Sequence, residues 1–308
     1  MDDENTESGS HGEPRPTHTL DVAEPLPELH TPHRRRRMII WIGVTVVIID
    51  LCALPIAYYY AFEFGTNLTT QDIFGIITGI FGLISFTHYA FRSLKLFRGK
   101  VAPKWRPVGW SRWGMLEFLH INLLLCITAF EIELIIGTIP HHPWVRLVAM
   151  PSPTICFYFG FLLCGTAVLT QMKKRLPFNM SSTPKGSLWK PALLAFVEDG
   201  GGIEGQGGVQ YREAVMKRYE VSPRFRRMIL LLSWIWGLGL IFIAVVSTIL
   251  IILLNVHIGF GVGWGLPWAF SAVYSIMTVM VVKSQLRKEK AEWREKAAAS
   301  ASSSAATV

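Results

Sequence analysis

Residues 222–254 read SPRFRRMILLLSWIWGLGLIFIAVVSTILIILL. From Met228 to Leu254 no residue is charged, while Arg224, Arg226 and Arg227 stand directly before the run. A helix needs about 20 apolar residues to cross the hydrocarbon core of a bilayer. This stretch is long enough, and its flanking arginines mark one end as the water-facing one. Five further stretches have the same character: Met38–Phe62, Ile73–Phe91, Met115–Ile139, Leu147–Met172 and Trp264–Val282. None alternates apolar and polar residues in the manner of a membrane barrel strand. The expected fold is all-α, a polytopic membrane protein built as a bundle of six transmembrane helices.

The basic residues orient the bundle. Of the 30 Lys and Arg, 29 fall before the first span, after the sixth, or in the connections between spans two and three and spans four and five. Arg146 alone lies on the opposite side. Cytosolic connections carry the excess of Lys and Arg. Both termini are therefore expected in the cytosol. The first span is expected to act as an uncleaved anchor, because some 33 polar residues separate it from the N-terminus. Which membrane holds the protein is not encoded in these features.

Composition agrees. The 308 residues are 51% hydrophobic and 17% charged, with a mean hydropathy of +0.35. Soluble domains carry about 25% charged residues. An ordinary soluble enzyme, a disordered protein and a disulfide scaffold are excluded. The net charge of +8 is spread over four connections with no nucleic-acid-binding pattern, so no nucleic acid is expected as partner. The lipid bilayer is the expected partner, with anionic headgroups in reach of the cytosolic Lys and Arg.

The polar segments divide as follows. Residues 1–37 form an N-terminal tail expected to be disordered. Residues 38–172 hold helices one to four, and 228–282 hold helices five and six. Residues 283–308 read as a charged helix to Lys296 followed by a disordered tail. Residues 173–227 form the one polar connection of any size. Its run Gly200-Gly-Gly-Ile-Glu-Gly-Gln-Gly-Gly208 lacks the Lys-Ser or Lys-Thr of a phosphate loop, and reads as a flexible hinge. The run Tyr211–Tyr219 reads as a short basic amphipathic helix.

Ionisable groups within spans are expensive and therefore candidates for function. Asp50 in span one and Glu131 in span three lie at similar depths, with no Lys or Arg in any span to neutralise them. Carboxyls in such surroundings favour the proton-bound form, so Asp50, Glu131 and Glu133 are candidate proton or cation carriers. Glu131 and Glu133 are two residues apart and point to different helix faces. The competing reading is protonated carboxyls bonded between helices. Glu117-Phe-Leu-His120 has the spacing that places both side chains on one helix face. With His88 at the same end of span two, it makes a candidate metal or haem site of His88, Glu117 and His120. Interfacial polar residues at span ends are the favoured reading of the same three, and no cofactor is expected.

The remaining motifs are weaker. Gly261-Val-Gly-Trp-Gly265 resembles a potassium filter sequence, but the residues before it leave no room for a pore helix, and it reads as a tight outer turn. Gly75, Gly79 and Gly82 line one face of span two and suit close helix packing. Cys52, Cys126, Cys156 and Cys164 all lie inside spans and make neither a disulfide framework nor a zinc site. Asn67-Leu-Thr69 is a glycosylation sequon on the expected outer side, in a loop of about ten residues.

Several runs resemble an uncharacterised family of multi-pass membrane proteins from filamentous fungi. They are Ser85-Phe-Thr-His-Tyr89, Glu133-Leu-Ile-Ile-Gly-Thr138, Pro143-Trp-Val-Arg-Leu-Val-Ala-Met-Pro151, Val197-Glu-Asp199, Ser222-Pro-Arg-Phe-Arg-Arg-Met228 and Gly261-Val-Gly-Trp-Gly265. The resemblance spans about Arg37 to Arg294 and implies no activity or site residue. The sequence thus leads to a non-enzymatic membrane organiser or regulator acting through its cytosolic loop and tails. A secondary transporter using the carboxylates of helices one and three is the alternative, and a membrane redox protein using His88 and His120 the second.

Overall fold

The computed structural model describes residues 26, 27, 29, 52–97, 104–109 and 117–306. They form helices α1 (Leu54–Gly65), α2 (Thr70–Phe97), α3 (Phe118–Thr138), α4 (Val145–Val148), α5 (Pro151–Gln171), α6 (Ala192–Ile203), α7 (Gly208–Val221), α8 (Pro223–Leu253) and α9 (Val256–Ala306). Among the described residues, β-structure is limited to the isolated bridges Arg175–Leu188 and Met180–Thr183. Five helices are long and apolar enough to cross a membrane: Thr70–Phe91, Phe118–Thr138, Pro151–Gln171, Pro223–Leu253 and Val256–Ala299. Of the first expected span, Met38–Phe62, the described part lies mostly in α1, which is too short to cross by itself. The earlier residues of that span, 38–51, lie outside the described residues, as does almost all of the 1–37 tail.

Local chemistry sets the helix ends. Ser222 accepts a bond from the Phe225 N–H at 3.2 Å and Pro223 follows it, so α8 begins with a side-chain N-cap and a proline that needs no acceptor. Thr69 and Asp72 cap α2 reciprocally: the Thr69 Oγ1 accepts from the Asp72 N–H at 3.2 Å, and Asp72 accepts from the Thr69 N–H at 3.3 Å. The hydroxyl of the sequon residue Thr69 also donates to Asp72 at 2.6 Å. Asn67 beside it is exposed. Arg146, the one basic residue on its side, donates to the carbonyls of Ile251 at 2.8 Å, Ile252, and Leu254 at 3.3 Å. Those are the orphan acceptors at the C-terminus of α8, where a cation is favoured.

Two glycine-rich stretches differ from their sequence reading. Gly261–Gly265 is not a turn. It lies inside α9, and only Leu254 and Asn255 separate α8 from α9. The glycines serve close approach. A Cβ on Gly263 would collide with the Ala149 carbonyl, and one on Gly259 would come within 3.1 Å of the Ile251 carbonyl. Gly200–Gly202 is not a hinge either. It forms the last turn of α6, with the Tyr211 ring crowding Gly201 and the Arg212 Nε 2.8 Å from where a Gly202 Cβ would sit. At its far end α9 continues beyond Lys296 to Ala306, through alanines that favour helix.

Helices α5 and α8 pack along each other and cross at Gly160 and Gly237. A Cβ on Gly160 would meet Ile241 Cγ1 at 2.7 Å and the Gly237 carbonyl at 3.0 Å. The second clash is with backbone, so the helices must separate. Gly160→Ala is expected to cost about 1–3 kcal/mol, read as a lower unfolding temperature in detergent. Gly75→Ala is expected to be silent, since nothing described lies within 4 Å of the new methyl. One apolar cluster, with Tyr59, Phe74, Phe130, Phe260 and Trp264, fills the end of the bundle near Arg146. At the opposite, basic end a second cluster joins Phe118, Leu176, Met180 and Ala192 to Leu240. A third sets Leu194, Val215 and Tyr219 on Phe225, Met228 and Leu232. The 173–227 segment is thereby packed onto the bundle rather than hanging from it.

Candidate functional site

The basic end holds the densest polar cluster among the described residues. Arg212, one turn into α7, projects onto α6. Its Nη1 donates to Asp199 at 2.6 Å and Glu198 at 3.2 Å. Its Nη2 donates to Glu117 and to the Trp105 carbonyl, the latter at 3.0 Å. The four side chains are 0–1% exposed. At such burial an unpaired charge is ruinous, so the network's completeness decides whether it stands.

The network is nearly complete. Asp199 also accepts from the Ser181 hydroxyl at 2.6 Å and from the Leu119 N–H at 3.0 Å. The Ser181 oxygen in turn accepts from the Phe118 N–H at 3.0 Å. Two orphan N–H groups at the start of α3 are thus satisfied, with an anion at the positive end of the helix. Glu198 accepts from both the hydroxyl and the N–H of Ser182, the N–H at 3.2 Å. Ser182 accepts from the Val108 N–H at 2.8 Å. One guanidinium therefore ties five segments: 105–108, the start of α3, the 181–182 turn, α6 and α7.

Charge does not balance. Among the described residues, three carboxylates face one guanidinium. Burial, reinforced by the neighbouring Asp199, pushes Glu198 up to about 7, against the pull of Ser182 and Arg212. Burial alone would weaken the Arg212 cation, but Asp199, Glu117 and Glu198 more than compensate and hold it protonated. Burial thus favours the proton-bound form of the Glu198 carboxyl.

The residues singled out by sequence are distributed differently. Glu117 is bound by Arg212. His120 is buried, with its ring stacked 4.4 Å from Tyr89 and its Nε2 3.3 Å from the Ser93 hydroxyl. The His88 side chain lies outside the described residues. Among the described residues no three His, Cys, Asp or Glu converge on a metal position. Glu131 faces α2, where Gly82 leaves it room, and Glu133 faces α5 and accepts from Thr154 at 2.6 Å. One oxygen of each, Glu131 Oε1 and Glu133 Oε2, is buried without a hydrogen-bond partner. Asp50 lies outside the described residues.

Arg212, Glu198 and Asp199 escaped the sequence reading as site residues. Arg212 looked like one of several surface cations in a basic helix. The usable signal was the pair Glu198-Asp199 inside the otherwise apolar segment ALLAFVEDGGGI. Two adjacent acids there demand a buried cation.

A second set of ion pairs docks the extension of α9. Arg218 of α7 pairs with Glu289 at 2.5 Å, both 3–4% exposed, and Arg224 of α8 pairs with Glu292. No curated protein matches the chain, and no solved structure matches it. One family model does, over residues 17–293: Domain of unknown function (DUF8766). That match covers the whole region from the N-terminal tail to the docked extension of α9, and the chain belongs to this family.

Proposed function

We propose that the protein is a six-span membrane protein with both termini in the cytosol, whose 173–227 segment forms a fixed cytosolic platform. It acts as a non-enzymatic organiser or regulator: the spans anchor the platform, and the platform and the docked α9 extension present the recognition surface. The single observation that carries this reading is the Arg212 knot, which spends the buried acids of the region on holding five segments together. The 29-to-1 division of basic residues supports the orientation. The resemblance to fungal multi-pass proteins agrees with it. Two measurements test the reading. Reporter fusions in the 139–144 connection and the 173–227 segment are expected to report opposite sides of the membrane. Trypsin added to the cytosolic face of sealed vesicles is expected to spare 173–227 despite its many Lys and Arg. Rapid cleavage there would remove the platform.

One observation favours a second reading, a transporter with a proton or cation site. The orphaned oxygens of Glu131 and Glu133 are what a proton-carrying carboxyl presents. Proton-coupled uptake into reconstituted vesicles that disappears in Glu131→Gln would support it. An unchanged proton flux would leave both acids with structural roles.

A further inference from the structure

Beside the knot, a cleft of about 1100 Å³ opens between the end of α5, the 182–190 turn, α7 and the start of α8. Its charged lining is Lys173, Lys190, Lys217 and Arg226 against Glu213 and Glu220. We propose that this cleft is a binding site for a phosphate-bearing headgroup, with the phosphate held between Lys173, Lys190 and Lys217. The inference rests on the platform reading above, because a mobile segment would not keep the cleft's walls together.

Four observations converge on it. First, charge: four cations and two carboxylates leave an excess of two positive charges, and a phosphomonoester carries about −1.5 to −2 at neutral pH. Second, Lys190 is held but incompletely neutralised. Its Nζ lies over the Tyr219 ring at 5.6 Å and 3.7 Å from Glu220, whose own side chain is 66% exposed. Burial lowers the Lys190 pKa against the opposing pull of Glu220 and Glu198, and a bound anion would reverse that. Third, the indole N–H of Trp189, on the cleft wall, is buried with no acceptor. Fourth, Lys173 sits at φ +52°, a left-handed position just past the end of α5 that glycine fills more cheaply. A lysine kept there costs about 1 kcal/mol of backbone strain, and strain of this kind concentrates at functional sites.

Position points to a lipid as the source of the phosphate. Thr170, on the lining, is in the last turn of the apolar helix α5, and Arg226 is in the first turn of α8. The cleft therefore opens at the level where bilayer headgroups sit. Around it, Met172, Phe178 and Leu188 are 43–57% exposed, an apolar rim that suits the glycerol and upper acyl region. The volume lies just above the roughly 300–1,000 Å³ of small-ligand pockets, which leaves room for a phosphorylated sugar headgroup.

The test uses the full chain in mild detergent, titrated with dioctanoyl phosphatidylinositol 4-phosphate, with inositol 1,4-bisphosphate, and with dioctanoyl phosphatidylcholine. Saturable binding of a phosphomonoester probe at one site is expected, with none for phosphatidylcholine. Lys173→Gln/Lys217→Gln, two exposed positions, is expected to weaken binding about tenfold, and Lys190→Gln more. Lys283→Gln, exposed on α9 away from the cleft, should change nothing. Tighter binding of the lipid than of the free inositol phosphate assigns the source to the membrane. Equal binding assigns it to a soluble phosphate ester, and the phosphate site stands in either case. Failure of both phosphate probes to bind, or binding indifferent to Lys173→Gln/Lys217→Gln, overturns the site. Trypsin resistance of 173–227 in the same sample separates the two ideas: a resistant platform that binds nothing loses the site alone, and a cleaved one loses both.

Discussion

Replacing Arg212 by Met is expected to destabilise the protein by about 3–5 kcal/mol, the usual result of stripping one partner from a buried ion network. Methionine fills much of the same space, so the loss is electrostatic. Glu117, Glu198 and Asp199 would remain buried without the guanidinium they share, and the Trp105 carbonyl would lose its donor. The unfolding temperature in detergent should fall, and trypsin should reach 173–227 while the apolar helices stay intact. Arg212→Lys is expected to recover only part of the loss. An ammonium cannot reproduce the planar fork that serves acceptors on both Nη atoms. The decisive arm neutralises the acids: adding Glu117→Gln and Asp199→Asn to Arg212→Met should restore stability. If the triple variant is as unstable as the single one, packing around the methionine, and not unpaired charge, explains the defect.

The second large effect is a dependence on pH through Glu198. Its carboxyl titrates near 7 in the folded protein, above its value in an unfolded chain. The folded state therefore holds a proton that the unfolded state releases. Stability is greatest below the ordinary carboxylate range, drains away as pH rises to about 7, and is flat above that. The loss is on the order of 3 kcal/mol when fully developed. Glu198→Gln keeps an oxygen for Ser182 and Arg212 but cannot ionise. It is expected to match the parent near pH 4.5 and exceed it at pH 8, in unfolding temperature measured at both. A variant weaker than the parent at pH 8 would mean that the attraction of ionised Glu198 to Arg212 outweighs its burial, and that its folded-state pKa is not raised.

Five of the expected apolar helices were legible because their signal is local. Met228–Leu254 carries its apolar run, its arginines and its Ser222-Pro223 start within one stretch, and the structure begins α8 at Pro223. The beginning of α9 was not legible. Glycine in a run such as Gly261–Gly265 signals either a turn or a close contact, and only the proximity of Ala149 and Ile251 decides between them. The same ambiguity hid the order in Gly200–Gly202. The knot was illegible for a different reason. Arg212 and Glu117 are 95 residues apart, and no periodicity or spacing rule spans that separation. The candidate intramembrane acids were legible as costly residues. Their separate facings followed from a spacing of two, and the structure sends Glu131 to α2 and Glu133 to α5.

The order of synthesis gives that 95-residue separation a consequence. Glu117 emerges from the ribosome first, then Glu198 and Asp199, and Arg212 last. At about 5–20 residues per second, Glu117 waits several seconds for its counter-ion. During that interval α3 and α5 must enter the bilayer while the acids beside them remain hydrated. The arrival of Arg212 is then the event that lets water leave. Assembly of the basic end is in this sense timed by translation, and a nascent chain halted before Arg212 would expose a patch of unmatched acid next to apolar helices, the kind of surface on which cellular quality control acts.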